Sequence, residues 1–212
     1  MRDFKFSEIR KVMQDKGYTF FEKGKYNLNL IGIRSSNSKS DQFDDSYNVI
    51  YKNFNNQWKH LRFPFTSDPG KHWLTNPLNN DGTAILIPNQ YLGVYQVGIH
   101  GRSWASGGYQ ALEQIKPMEY VRDWNKDDVL DFNLYQDPKL RIQHAFKANI
   151  KSNTHRASQW KKVLNVGKYS AACQVMQDPE HFKTLMALAN KSADMYGNKL
   201  TYTLLEEQDF DV

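Results

Sequence analysis

Cysteine is nearly absent from this chain. Its 212 residues include one cysteine, Cys173, so no disulfide can form within the chain and the fold does not depend on an oxidising compartment. Long apolar runs are also missing, and no stretch approaches the roughly eighteen residues that a membrane-spanning helix requires. The N-terminal segment lacks the apolar core and the small-residue cleavage site of a secretory signal. We therefore expect a protein that is synthesised in the cytoplasm without a signal peptide and has no membrane span.

Acidic residues are outnumbered by basic ones, but the positive charge is dispersed. The chain has 28 Lys and Arg against 23 Asp and Glu, which gives a net charge of +5 and a pI near 9.1. Such a charge suits an anionic partner, whether nucleic acid, a membrane surface or the bacterial envelope. There is no long basic run and no common nucleic-acid-binding motif. We therefore expect no nucleic-acid partner.

Strand-like patterns occupy much of the chain. Residues 47–65 are typical of a β-hairpin with its turn near 53–57. Further strands are predicted at 26–34, 84–87, 94–102, 109–115, 118–122 and 201–207. Helices are expected at 7–16 and at 178–197. These patterns predict a mainly β, β-rich α+β fold, with residues 1–25 as an N-terminal helical extension packed on a single domain at 26–212.

Cys173 and His155 are the candidate catalytic pair. A thiol nucleophile requires a base within hydrogen-bond reach, because the thiolate attacks and a free thiol is mostly protonated at neutral pH. His155 lies eighteen residues before Cys173, and a hairpin-like excursion is one way to bring the two together. A lone cysteine is more often a small buried hydrophobe, so the spacing and the flanking residues have to support the catalytic interpretation.

The residues around this pair resemble the active-site signature of the L,D-transpeptidase (YkuD-like) family. Residues 153–156 are Asn-Thr-His-Arg, a fourteen-residue segment runs from Arg156 to Tyr169, and residues 170–173 are Ser-Ala-Ala-Cys. The family's signature is a His, a gap of similar length, and then Ser/Thr-His-Gly-Cys before an apolar residue. In this chain Ala171 and Ala172 stand at the family's His and Gly positions.

The resemblance implies a sandwich or barrel with a short N-terminal helix and a helix after the catalytic cysteine. It implies that Cys173 attacks a peptidoglycan stem peptide to form a thioester, that His155 is the base, and that no cofactor is required. Ser170 would brace the turn, and the backbone N–H groups of Ala172 and Cys173 would hold the oxyanion. Alanine at position 172 is expected to be tolerated only if its φ is negative.

Four further residues are candidates for the cleft, each with a structural alternative. Arg156 could meet a substrate carboxylate or be a surface charge. His100 could line the cleft or end a strand. Tyr169 and Trp160 could form walls of the cleft or pack in the core.

A second motif runs from Asp123 to Asp131. Asp123, Asn125, Asp127 and Asp131 follow the pattern D-x-N-x-D-x-x-x-D, in which alternating short oxygen-bearing side chains can wrap a calcium ion. The loop resembles the calcium loops of dockerin-like and EF-hand-like repeats. Those loops have Gly at the sixth position, where Asp128 is disfavoured if the turn needs φ > 0. The motif therefore predicts either a structural calcium site or an acidic solvated loop.

The expected activity is processing of peptidoglycan peptides, with hydrolysis favoured over crosslinking. Family members that build the wall normally carry an export signal or membrane anchor, and none is visible here. That pattern suits a phage endolysin-like lysis enzyme or a secreted effector that degrades the cell wall in the host periplasm or after release. The alternatives are an L,D-transpeptidase proper and a non-catalytic virion or wall-binding protein that retains the fold. An unrelated cysteine hydrolase would need a group that orients His155, for which Asn153 and Ser158 are local candidates.

Overall fold

The computed structural model describes residues 2–211, and within that range the fold is mainly β, as predicted. The strands are β1 (Asn29–Arg34), β2 (Asp45–Lys52), β3 (Trp58–Thr66), β4 (Thr83–Leu86), β5 (Asn89–His100), β6 (Tyr109–Gln114), β7 (Met118–Asp123), β8 (Phe146–Ala148), β9 (Thr154–Arg156), β10 (Gln174–Met176) and β11 (Leu200–Glu206). The helices are α1 (Phe6–Asp15), α2 (Lys71–Thr75), α3 (Asn133–Gln136), α4 (Pro138–His144), α5 (Pro179–Tyr196) and a final 3-10 helix (Glu207–Phe210). Among residues 2–211, no helix combines the length and the apolar character needed to cross a bilayer.

Eight strands close into a barrel in the order β1-β11-β5-β6-β9-β10-β3-β2. Two neighbouring pairs, β1–β11 and β9–β10, are parallel, and the other pairs are antiparallel. All six residues of β1 are buried, because one face of this strand lines the barrel and the other lies under α1. This double burial explains why the alternation expected for residues 26–34 is irregular.

The helix α1 packs on the outside of the barrel. Ile9, Val12 and Met13 form its buried face, as expected for an amphipathic helix with apolar residues three and four apart. They belong to one apolar cluster with barrel residues from β1, β2 and β11, namely Ile31, Ile33, Ile50 and Leu205. The N-terminal segment is therefore held by the burial of apolar side chains.

The helix α5 follows the candidate cysteine, and its predicted ends are confirmed to within a residue. The Asp178 carboxylate accepts the Glu180 N–H at 2.9 Å, which caps the first turn, and Pro179 occupies the first helical position. Gly197 ends the helix with a φ of 88°. The buried face of α5 packs against the barrel through Phe182, Leu185, Met186 and Ala189.

A second, three-stranded sheet in the order β4-β7-β8 is joined to the barrel by buried Arg34. The Arg34 guanidinium pairs with Asp68, with 2.9 Å between Nε and Oδ1, and donates to the Leu86 carbonyl at 2.7 Å and the Tyr135 hydroxyl at 3.1 Å. Nearby Asp45 is also buried, and it accepts the Ser67 N–H at 2.7 Å. This network anchors the small sheet, which forms one wall of the groove described below.

Candidate active site

The strands β9 and β10, which carry the candidate residues, lie side by side in parallel. Gln174 pairs with Thr154 and Val175 with His155, and Cys173 immediately precedes β10. A hairpin-like excursion, one way to bring His155 and Cys173 together, is not what the structure has, because a hairpin joins antiparallel strands and β9 and β10 are parallel. Parallel strands require a crossover, and residues 157–173 provide it.

His155 and Cys173 lie on the outer side of the barrel wall. Gln174 faces the interior, where its side-chain oxygen accepts the Tyr202 hydroxyl at 2.6 Å. Because side chains alternate along a strand, Cys173 and His155 leave the opposite face. Their register is diagonal, which corresponds to about 8 Å between Cα atoms for typical strand spacing and rise. Within residues 2–211, no hydrogen bond joins the two, and the thiol instead donates to the Lys151 carbonyl at 3.5 Å.

The hydrogen bonds of His155 determine its tautomer. Nδ1 lies 2.8 Å from the backbone oxygen of Arg156, and a carbonyl oxygen can only accept. Nδ1 therefore carries the proton, and Nε2 is free to take one. The Tyr109 hydroxyl donates to the same carbonyl at 3.2 Å. Burial, together with the neighbouring His100, lowers the pKa of His155 to about 3, so the imidazole is neutral at pH 7.

His100 stacks on His155, with 4.1 Å between ring centroids and 14° between ring planes. The Gln114 N–H donates to Asn153 Oδ1 at 2.8 Å, which orients the Asn153 amide so that Nδ2 faces His100 Nδ1 at 3.1 Å. His100 therefore accepts at Nδ1. Burial, together with the positive charge of Arg156, lowers the pKa of His100. The stack joins two neutral rings, and β6 supports it through Asn153.

Two buried serines hold the turn that leads into Cys173. Ser170 Oγ donates to the Cys173 carbonyl at 2.9 Å, and Ser152 Oγ donates to the Ala172 carbonyl at 2.6 Å. Within residues 2–211, the backbone N–H groups of Ala172 and Cys173 have no acceptor. The turn thus presents two adjacent donors next to the thiol, an arrangement that can stabilise a developing oxyanion.

Ala172, which stands at the family's glycine position, adopts a nearly extended backbone. Its φ is 158°, which does not meet the condition of a negative φ, but the value is close to ±180°, in the extended region that alanine can adopt. Its methyl group is buried against Ala84 and Tyr120. The methyl therefore packs toward the small sheet.

The environment of Cys173 keeps its thiol protonated. Burial raises the thiol pKa to about 11, and a hydrogen bond from the Asn153 backbone offsets part of this effect. Together with the low pKa of His155, this leaves a neutral thiol beside a neutral imidazole in the resting protein. Proton transfer from sulfur to nitrogen is then a step of the reaction, and no ion pair exists beforehand.

A groove of about 430 Å³ lies between the barrel and the small sheet, and Cys173 is on its wall. Its charged lining residues are Arg122 and Lys151, and within residues 2–211 no acidic side chain lines it. The full lining comprises Leu78, Asn79, Gly82, Thr83, Ala84, Arg122, Ile150, Lys151, Ala171, Ala172 and Cys173. This groove is the space in which a substrate could reach the thiol.

The other predicted cleft residues lie elsewhere. The Arg156 guanidinium lies 3.7 Å from the centroid of the Tyr109 ring and lines a separate groove beside α5. Trp160 is 84% exposed and Tyr169 is 42% exposed, and neither lines the Cys173 groove. Both belong to the crossover between β9 and β10, so the expectation that they form walls of this cleft is wrong for the described structure.

Several residues of the site were missed at the sequence level, chiefly Tyr109, Arg122, Lys151 and Ser152. Tyr109 and Arg122 lie in predicted strands, but the sequence does not indicate which strands become neighbours. Only the position of Lys151 and Ser152 immediately before the Asn-Thr-His-Arg motif pointed to this region.

The acidic loop is organised by its own hydrogen bonds. Buried Asp123 accepts the Asp131 N–H at 3.2 Å, and Asn125 Nδ2 donates to the Asp131 carboxylate at 3.0 Å. The positive φ occurs at Lys126 (62°), two residues before Asp128. Within residues 2–211, no three His, Cys, Asp or Glu side chains converge in a metal-ligating group. The calcium site stays a prediction, and its clearest structural basis is Asp123 Oδ1, which is buried and has no hydrogen-bond partner in the described part of the chain.

Comparisons of the chain with protein-family models, with curated proteins and with solved structures found no match. The family resemblance therefore stays a prediction based on the residues around His155 and Cys173. The chemistry of the site is inferred from its geometry.

Proposed function

We propose that this protein is a cysteine-dependent enzyme that processes peptidoglycan stem peptides through a thioester acyl-enzyme, with a fold similar to that of the L,D-transpeptidases. One observation carries this proposal. His155, whose Nε2 has no hydrogen-bond partner within residues 2–211, lies on β9 next to β10, the strand that Cys173 immediately precedes, and in the same range two N–H donors without an acceptor lie next to the thiol on a groove.

In the proposed mechanism, Cys173 Sγ attacks a substrate carbonyl carbon while His155 Nε2 takes the thiol proton. The carbonyl oxygen becomes an oxyanion that accepts hydrogen bonds from the N–H groups of Ala172 and Cys173. Collapse of this intermediate breaks the C–N bond, and His155 returns its proton to the leaving amine. A thioester on Cys173 and a free amine result.

The imidazolium of His155 exists only during these steps, and its Nδ1–H continues to donate a hydrogen bond to the Arg156 carbonyl. The same contact keeps the ring aligned while the proton moves. Because the thiol and His155 are not hydrogen-bonded at rest, substrate binding has to bring them together, a pattern that is common in free enzymes.

Water or a second amine can resolve the thioester. We propose hydrolysis as the main outcome, because Cys173 lies on the wall of the groove, from which water can reach the acyl group. The protein would then act as a lytic, endolysin-like enzyme on the bacterial cell wall. Transfer to an amine, as in an L,D-transpeptidase proper, is distinguished by its products.

A non-catalytic wall-binding protein, such as a virion component, is the second candidate. The observation that favours it is the resting state of the pair, with a protonated thiol whose hydrogen bond goes to Lys151. In this case the groove would bind stem peptides without turnover.

The test is incubation of purified protein with bacterial peptidoglycan, followed by mass spectrometry of the muropeptides. We expect the wild type to remove crosslinked or tetrapeptide species, Cys173→Ala to remove none, and His155→Gln to lose about 10²-fold or more in rate. His144→Gln, a histidine outside the groove, is the matched control and should keep full activity.

New crosslinks or exchanged terminal residues would instead identify a transferase. If the wild type and Cys173→Ala leave the wall equally unchanged, the enzyme proposal is wrong. Co-sedimentation of both proteins with the wall would then support the wall-binding alternative.

A further inference from the structure

The groove beside Cys173 contains a guanidinium in a fixed position. Arg122 lies near the end of β7 and is partly buried, and its Nη1 donates to the Gly82 carbonyl at 2.7 Å. The guanidinium carbon also lies 5.3 Å from the centroid of the Tyr120 ring. These two contacts hold the Arg122 head group in one orientation, and a fixed guanidinium suits the recognition of a carboxylate.

Glycine at position 82 makes this arrangement possible. Its φ is 105°, and a Cβ there would collide with the backbone oxygen of Asp123 on the neighbouring strand. The absence of a side chain lets the segment before β4 approach the end of β7 closely. The Gly82 carbonyl can therefore reach Arg122.

Most of the hydrogen-bonding capacity of Arg122 is unused. A guanidinium has five N–H donors, and Nε and Nη2 of Arg122 have no acceptor within residues 2–211. In that range Arg122 also forms no ion pair, because the part of the groove wall that is described contains no acidic residue. Lys151, which is exposed on the groove, adds a second positive charge. A free Nε–Nη2 edge matches the two oxygens of a carboxylate.

Arg156, the arginine singled out by its position after His155, is already engaged. Its guanidinium stacks on Tyr109, its Nη2 donates to Gln159 at 3.3 Å, and it lines the separate groove beside α5. It is therefore poorly placed to bind a group that lies in the Cys173 groove.

We propose that Arg122 binds a carboxylate of the peptide substrate in the Cys173 groove, with Lys151 as a supporting positive charge, so that the protein selects acidic peptides over their amidated forms. This inference deepens the proposed function and rests on it for the identity of the peptide. Arg122 is a specificity-determining residue in this view, and the chemistry stays with Cys173 and His155.

The direct test is a binding measurement that needs no turnover. In the Cys173→Ala background, calorimetry compares the stem tetrapeptide Ala-Glu-diaminopimelate-Ala with the same peptide carrying carboxamides. Because hydrogen bonds to charged groups are the stronger class, we expect the acid form to bind about 10- to 100-fold more tightly. Arg122→Gln should abolish this preference, Arg122→Lys should retain part of it, and the matched control Arg156→Gln should retain all of it.

The proposal is overturned if both peptides bind equally or not at all, or if Arg122→Gln keeps the preference. The muropeptide assay tests the enzyme separately. If turnover depends on Cys173 but the KM is unchanged in Arg122→Gln, the proposed role of Arg122 is wrong and the proposed enzyme activity is supported. If the acid form binds selectively through Arg122 but no turnover occurs, the role of Arg122 is supported and the proposed enzyme activity is wrong.

Discussion

Alkylation of Cys173 by iodoacetamide tests the neutral thiol–imidazole pair directly. With a thiol pKa of about 11, roughly one molecule in 10⁴ carries a thiolate at pH 7, against about 3% for an unperturbed thiol. This difference alone slows the reaction about 300-fold. A more basic thiolate is also a better nucleophile, which raises the alkylation rate of the thiolate roughly tenfold and offsets part of this slowing. We therefore expect the folded protein to react on the order of 20- to 30-fold more slowly than the urea-unfolded chain.

The assay is simple because the chain has a single cysteine, so the intact mass reports labelling of Cys173 alone. Rates are measured from pH 6 to pH 9.5 for the folded and the unfolded protein. In the folded protein the logarithm of the rate should rise linearly with pH, without a plateau. In the unfolded chain it should level off above its ordinary pKa. His155→Gln should leave the folded profile unchanged, because His155 is not hydrogen-bonded to the resting thiol.

The opposite result would be a plateau that begins near or below neutral pH, with labelling faster than in the unfolded chain. That profile is typical of a preformed thiolate–imidazolium pair. It would refute the neutral resting state and with it the order of proton transfer in the proposed mechanism.

Three further predictions concern stability and metal binding. Arg34→Leu should lower the free energy of unfolding by about 3–5 kcal/mol, because it leaves buried carboxylates unpaired. The control Arg10→Leu, at an exposed position, should change it by less than about 1 kcal/mol. Similar denaturation midpoints for the two variants would contradict this prediction. Asp123 has its pKa raised to about 6, chiefly by burial, so wild-type stability should fall as the pH rises from about 4 to about 6. Asp123→Asn should flatten that dependence and raise the stability at pH 7 by roughly 1–3 kcal/mol, as measured by thermal unfolding across this range. If the acidic loop binds calcium, millimolar calcium should raise the Tm of the wild type and not of Asp127→Ala, and an equal Tm with calcium and with chelator would refute the site.

Local signals in the sequence were sufficient to predict part of the fold. The β2–β3 hairpin was predicted by apolar runs on both sides of a polar turn, and α5 by a cap, a first-turn proline, an apolar face and a terminal glycine. These patterns depend on residues that are close together in the chain. They indicate where elements are, and the mainly β class follows from them.

Pairing between distant strands could not be predicted in this way. The parallel pair β9–β10 has only three residues in each strand, and no local pattern distinguishes it from a hairpin. The placement of Arg122 beside Cys173 depends on the small sheet, which is attached through the buried Arg34. For the same reason the sequence pointed to Arg156 as the residue that binds a substrate carboxylate, because the sequence shows only which residues are adjacent in the chain.

The position of β11 in the barrel has a consequence for the kinetics of folding. β11 lies between β1 and β5, so the first strand of the chain gains this neighbour only after the last strand has been synthesised. Contacts between such distant segments form slowly, because a long loop has to close first. Until then β1 has one unpaired edge and apolar residues such as Ile31 and Ile33 next to it, which exposes the nascent chain to aggregation. The barrel wall that carries His155 and Cys173 is therefore complete only when β11 has been inserted, and a chain that ends before β11 should be inert.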